Sequence, residues 1–144
     1  LMLTKGFKFS DGVELYGKYV GNWGGEATKW RFDAIRDGEV IKSVTRSPGQ
    51  KVRLEVIPSK TELSEGDTYD AAEVRIRALD EYGNLAPYWQ EPVVFKCSGA
   101  LELIGPEIIS LKGGSGGCYV KTIGKAGKAA LSVNDIEIEF NIDM

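Results

Sequence analysis

Apolar and polar side chains alternate one for one along much of this chain, the pattern a half-buried strand requires. Val74, Ile76 and Ala78 interleave with Arg75, Arg77 and Leu79. Asp80 with Gly83-Asn84 then supplies turn chemistry, and Pro92 to Ser98 starts a second alternating run. Before this pair, Lys29 to Ala34 alternates, Asp37-Gly38 is a two-residue hairpin signal, and Val40 to Val44 returns. Trp30 alternates with Phe32, which predicts a place in a core. Ser47-Pro48-Gly49 breaks the pattern and is the best candidate boundary. From there Val52, Leu54 and Val56 share a face, and Pro58 ends the strand or marks a sheet edge.

Ser59 to Asp70 is polar and reads as a surface connection. Strands are predicted over Ala100 to Ile104, Ile108 to Leu111, Cys118 to Ile123 and Lys128 to Val133, with a break at Gly105-Pro106 and a turn over Gly124 to Gly127. Gly113 to Gly117 reads as a loop. Ile136, Ile138, Phe140 and Ile142 alternate with Glu137, Glu139 and Asn141, giving a last strand with one wet face. Seven or eight strands in about 95 residues is the count of an immunoglobulin-like β-sandwich. The expected fold class is therefore all-β, with a sandwich over 50–144 and a β-rich extension, or the tail of a preceding sandwich, over 1–49. In that first segment an Asp11-Gly12 turn precedes Val13 to Val20, which reads as a strand in preference to a short helix. Gly21 to Gly25 is a loop.

The chain has 144 residues, enough for a self-sufficient core, and no apolar run approaches a membrane span. Its start, Leu1 to Gly6, lacks the basic leader and apolar stretch of a signal peptide. With Met2 in second place, it reads as a segment excised from a longer chain. A net charge of −3, from 18 basic and 21 acidic residues spread along the chain, leaves no basic stripe for nucleic acid. Histidine is absent, which removes the commonest general base and transition-metal ligand. Cys97 and Cys118 each sit in a strand-like run and are expected to be unpaired core thiols. The expected compartment is the bacterial cytoplasm rather than the outside of the cell.

Four groupings could carry chemistry. Gly113-Gly114-Ser115-Gly116-Gly117 offers free backbone amides, but no Gly-Lys-Ser/Thr ends it and no helix follows, so it reads as a strand connection and not a phosphate loop. Asp80, Glu81 and Asn84, with Asp67 and Asp70, are hard oxygen donors, yet their spacing is not that of a calcium loop; Asp80 is expected to stabilise its own turn. No pair of acids is marked out for glycoside hydrolysis. Trp23, Tyr88 and Trp89 fall in loops, where flat rings dock on a neighbouring domain or stack on a sugar. These three are the candidate contact residues, and no catalytic, cofactor or metal residue is expected.

Several segments together resemble the C-terminal β-sandwich region of bacterial family 2 glycoside hydrolases of the β-galactosidase type. They are Tyr16-Gly17-Lys18-Tyr19-Val20-Gly21-Asn22-Trp23-Gly24-Gly25-Glu26-Ala27, Asp37-Gly38-Glu39-Val40, Tyr69 to Ile76, Asp80 to Pro87, Ile104-Gly105-Pro106 and Leu111 to Thr122. The resemblance spans nearly the whole chain and rests on the order and spacing of the segments rather than on one motif. It implies a non-catalytic accessory module, because the family's acid/base and nucleophile glutamates lie in a central barrel that this chain lacks. The implied partners are the other domains of a parent hydrolase, with an oligosaccharide as a further possible ligand. Two alternatives stand beside it: a carbohydrate-binding module using Trp23, Tyr88 and Trp89, and an adhesin-type immunoglobulin-like repeat.

Overall fold

A computed structural model describes residues 6–21, 29–48 and 51–144. The chain divides into two compact units, Leu1–Gln50 and Lys51–Met144.

The first unit holds helix α1 (Phe9–Tyr19) and the antiparallel pair β1 (Trp30–Arg36) and β2 (Glu39–Arg46). The strand expected over Val13 to Val20, and the Asp11-Gly12 turn before it, are corrected: Asp11 to Tyr19 lie in α1 and Val20 is its C-cap. Asp11 decides the start. Its carboxylate accepts the Lys8 backbone N–H at 2.9 Å, its own N–H donates to the Lys8 carbonyl, and its charge sits at the positive end of the helix. The hairpin is as expected. Asp37 and Gly38 take φ of 52° and 83°, the pair of left-handed residues that a tight two-residue turn needs. Trp30 and Phe32, however, are not core residues: they stand 48% and 60% exposed. Alternation puts them on one face of the ribbon, and within the first unit no described residue forms a second layer over that face.

The second unit is a sandwich of nine strands: β3 (Val52–Pro58), β4 (Glu62–Ser64), β5 (Ala71–Asp80), β6 (Pro92–Gly99), β7 (Leu101–Ile104), β8 (Ile108–Ser110), β9 (Ser115–Thr122), β10 (Gly127–Val133) and β11 (Ile136–Asp143). One sheet has the order β3-β5-β9-β7 and the other β4-β11-β10-β6-β8. Pairing is antiparallel except for β4 beside β11. Strands β3, β5, β9 and β7 take the A-B-E-D places of an immunoglobulin-like domain, and β6, β10 and β11 take C, F and G. The two alternating runs that dominate the sequence, β5 and β6, therefore lie in opposite sheets.

The core between the sheets follows from the alternation. Strand β5 buries Ala72, Val74, Ile76 and Ala78 and turns Glu73, Arg75 and Arg77 outward, while β6 adds Val93 and Phe95, β10 adds Leu131 and Val133, and β11 adds Phe140 and Ile142. Pro58 ends β3 at a sheet edge, where the missing N–H costs nothing. Two details differ from expectation. The Ser59 to Asp70 connection is not all surface, because Leu63 on β4 inserts into the core at 2% exposure. Ser115, Gly116 and Gly117 of the Gly113 to Gly117 stretch belong to β9, since Gly116 and Gly117 let the strand lie flat where a Cβ would meet Leu111 Cδ2 at 2.7 Å and the Val74 carbonyl oxygen at 2.5 Å.

Candidate functional site

The loop from Asp80 to Gln90 carries two of the three candidate contact residues, and its shape follows from Asp80. This side chain is buried, and its Oδ1 accepts the backbone N–H groups of Tyr82 and Asn84 at 2.9 and 2.8 Å, while Asn84 Nδ2 donates to Oδ2 at 3.0 Å. Gly83 closes the turn at φ 77° by donating to the Asp80 carbonyl. The Asp80 oxygens thus serve local donors. Farther along, Ala86 donates to the Ala78 carbonyl and Trp89 to the Ala86 carbonyl, which folds the loop back over the end of β5. Trp89 then packs against the core, half-buried, while Tyr88 points out at 60% exposure. The structure thus splits the neighbours Tyr88 and Trp89, and Trp23 lies outside the described residues.

The ionisable groups lean toward staying charged or staying inert. Asp70, the residue before β5, accepts Lys60 Nζ on its two carboxylate oxygens at 2.6 and 2.7 Å, and also the backbone N–H of Ser64 at 3.0 Å and of Ala71 at 2.8 Å. Lys60 first, then the Ser64 N–H, holds its carboxyl below the usual carboxylate range. On the hairpin, Ser43 and then Arg31 lower Asp33 in the same way. A general acid for glycoside cleavage needs the opposite shift. Burial pushes the Cys118 thiol up to about 12, with Cys97 adding to it, and Cys97 is itself raised by burial and then by Glu102. Both are free thiols, as expected, and neither environment favours a thiolate nucleophile.

Two surface features were not visible in the sequence. A cleft of about 520 Å³ opens between β6 and β7, lined by Phe95, Lys96, Cys97, Leu101, Glu102, Leu103, Gly105 and Glu107. It exists because the chain passes from one sheet to the other within Gly99-Ala100, which leaves the two strands diverging. On the outer face of β9, Lys121 Nζ lies 3.1 Å from Glu102 and 5.6 Å from the centre of the Tyr69 ring, with Tyr119 two residues along the strand and also exposed. Alternation alone gives the shared face of Tyr119 and Lys121, but only the β7–β9 register brings Glu102 to them. Among the described residues, no group of three or more His, Cys, Asp or Glu is placed to hold a metal ion, and no helix is long and apolar enough to cross a membrane.

No family model matches the chain. Among solved structures, a glycosyl hydrolase family 2 member from Bacteroides cellulosilyticus superposes with a TM-score of 0.63 over 81% of this chain and 17% of that one, at 15% identity. A β-glycosidase from Bacteroides vulgatus gives 0.59 over 83% of this chain and 18% of its own, also at 15% identity. At that identity the likeness concerns the fold, and it is to an all-β fold. Sequence relatives go further. A β-galactosidase of Rhizobium radiobacter is 33% identical over 116 residues, covering 78% of this chain and 81% of that protein. A β-galactosidase of Thermoanaerobacter pseudethanolicus is 32% identical over 93 residues, and one of Thermoanaerobacterium thermosulfurigenes 37% identical over 62. This chain spans only 12% and 8% of the length of those two. With the order of its motifs, its all-β fold and its relatives in agreement, the chain belongs to the family 2 glycoside hydrolases of the β-galactosidase type.

Proposed function

We propose that this chain is a non-catalytic accessory module of a β-galactosidase-like family 2 hydrolase, which supports packing between domains or subunits of the parent enzyme. The observation that carries this reading is the match to 12% and 8% of two much longer β-galactosidases, a share that fits one module of a larger enzyme. The chemistry of the described residues is in keeping with it. The carboxyls that depart from ordinary behaviour, Asp33 and Asp70, are held ionised by cations and N–H donors, and the thiols are held protonated. In this reading Tyr88 is a contact residue for a neighbouring domain, and Trp89 fixes the loop that presents it. The parent's activity on β-galactosides comes from its catalytic barrel.

The test is to assay the purified 144-residue chain and a longer polypeptide containing the barrel against a chromogenic β-galactoside. The expected result is turnover by the longer polypeptide only. Hydrolysis by the 144-residue chain would overturn the reading. Saturable quenching of tryptophan fluorescence by galacto-oligosaccharides, lost in Tyr88→Ala, would replace it with the carbohydrate-binding alternative.

A further inference from the structure

Residues 59–70 leave one sheet of the sandwich, touch the edge of the other and return. Ser59 follows β3, the chain forms β4 beside β11, and Asp70 hands it back to β5. Of these residues only Leu63 is buried, and it sits in the common core. The backbone attachment is short. Glu65 donates to the Asp143 carbonyl at 2.9 Å, Asn141 donates to the Thr61 carbonyl at 3.0 Å, and the parallel register covers only Glu62–Asn141, Leu63–Ile142 and Ser64–Asp143. Asp70 ties the segment down. Its carboxylate accepts Lys60 Nζ from the start of the segment and the Ser64 N–H from the end of β4. Asp70 is itself fixed to the first sheet, because its N–H donates to Thr122 Oγ1 at 3.0 Å and its carbonyl accepts the Thr122 N–H at 3.0 Å. All of these partners lie within the second unit.

We infer that residues 60–69 form a strap that opens as a unit while the two sheets stay closed, with Leu63 as its plug and the Asp70 carboxylate as its latch. The contacts divide along that line. Opening withdraws one apolar side chain from the core and parts a three-residue ladder, whereas the β3–β5, β5–β9 and β10–β11 ladders each run over seven pairs and lose nothing. Short attachments at a sheet edge are where local opening begins. The latch acts on this motion because Asp70 keeps its bonds to Thr122 and the Ala71 N–H, so Lys60 and Ser64 alone part from it when the strap lifts. Lifting uncovers the backbone of Asn141 and Asp143 that faces β4, together with the seat of Leu63. An uncovered strand edge is where a further strand can join, so the latch guards the second sheet against strand addition.

Residue-resolved hydrogen exchange of the 144-residue chain in low urea tests this. The reporters are the Glu65 and Asn141 amides, which donate across the β4–β11 seam from opposite sides. Both are expected to be protected to a common degree, to exchange at least about 100-fold faster than the Ile76 and Val120 amides, and to show a shallower urea dependence. Phe140, paired with Ala129 in the same strand as Asn141, should exchange with the core. Ile76→Val should speed the Val120 and Phe140 amides about two- to tenfold and leave both reporters unchanged. Asp70→Ala should speed the reporters about tenfold, and Lys60→Met, which removes one exposed partner of the latch, about twofold. Reporters as slow as the core, or with no protection at all, would overturn the inference. So would reporters indifferent to both Asp70→Ala and Lys60→Met.

Discussion

The hairpin and the sandwich are written in the same alternating code, yet one buries its apolar face and the other does not. On β5, Val74 and Ile76 are fully buried between two sheets; on β1, Trp30 and Phe32 are about half exposed on one. Alternation specifies a strand with two unlike faces and says nothing of whether a second layer is present. Stability comes from that layer, because burial removes apolar area from water and a strand by itself does not.

The sharpest way to test the comparison is to truncate matching aromatics. Phe140→Ala should cost about 3–5 kcal/mol in urea unfolding of the 144-residue chain, as large core deletions do, and Phe32→Ala no more than about 0.5 kcal/mol. Equal effects would mean that the two regions share a core. Next in size is a glycine pair. Gly114 has φ 74° and a Cβ there would lie 2.4 Å from the Ala86 carbonyl oxygen, so Gly114→Ala should cost about 1–3 kcal/mol. Gly38, at φ 83° with open space around it, carries backbone strain alone, and Gly38→Ala should leave the urea midpoint of the sandwich unchanged.

A pH series gives a smaller, signed effect. Asp70 has its folded pKa lowered below 3.8, so its contribution is complete above 3.8 and is lost as pH falls through the lowered value. The stability gap between the native chain and Asp70→Asn should therefore be constant near neutrality and close as the solution is acidified below 3.8. A gap that widened in acid would contradict the assignment to Lys60 and the Ser64 N–H. Smallest in energy, though easy to read, is thiol labelling. With Cys118 at about 12 and Cys97 also raised, a thiol reagent at pH 8 should label the folded chain slowly and react at once with two thiols after unfolding.

Much of the β structure in both units was legible because the strands are regular where the turns are chemically explicit. Asp80 with Gly83-Asn84, Asp37-Gly38 and the Gly124 to Gly127 turn all fall where expected, since each needs a residue type that few others replace. The errors have physical causes as well. Val13 to Val20 carries apolar residues at both strand and helix spacing, and the Asp11 bond to the Lys8 N–H settles it as helix, a contact that periodicity does not encode. Leu63 was hidden in a polar run because β4 is only three residues long and is held by its parallel neighbour β11. At the candidate site, the aromatic character of Tyr88 and Trp89 was plain, but their opposite fates depend on the Trp89 N–H bond to Ala86, and Ala86 is fixed only by the fold.

The pairing of β4 with β11 joins residues 62–64 to residues 141–143, so the opening and closing stretches of the sandwich are neighbours in space. Phe140 and Ile142 belong to the last strand of the sandwich and yet sit in the middle of its interior. Every earlier strand must wait for them with its oily side showing, which makes translation of this module an interval of exposure to proteases and to other nascent chains. A chain cut before β11 would thus yield not a slightly shorter module but one that never closes.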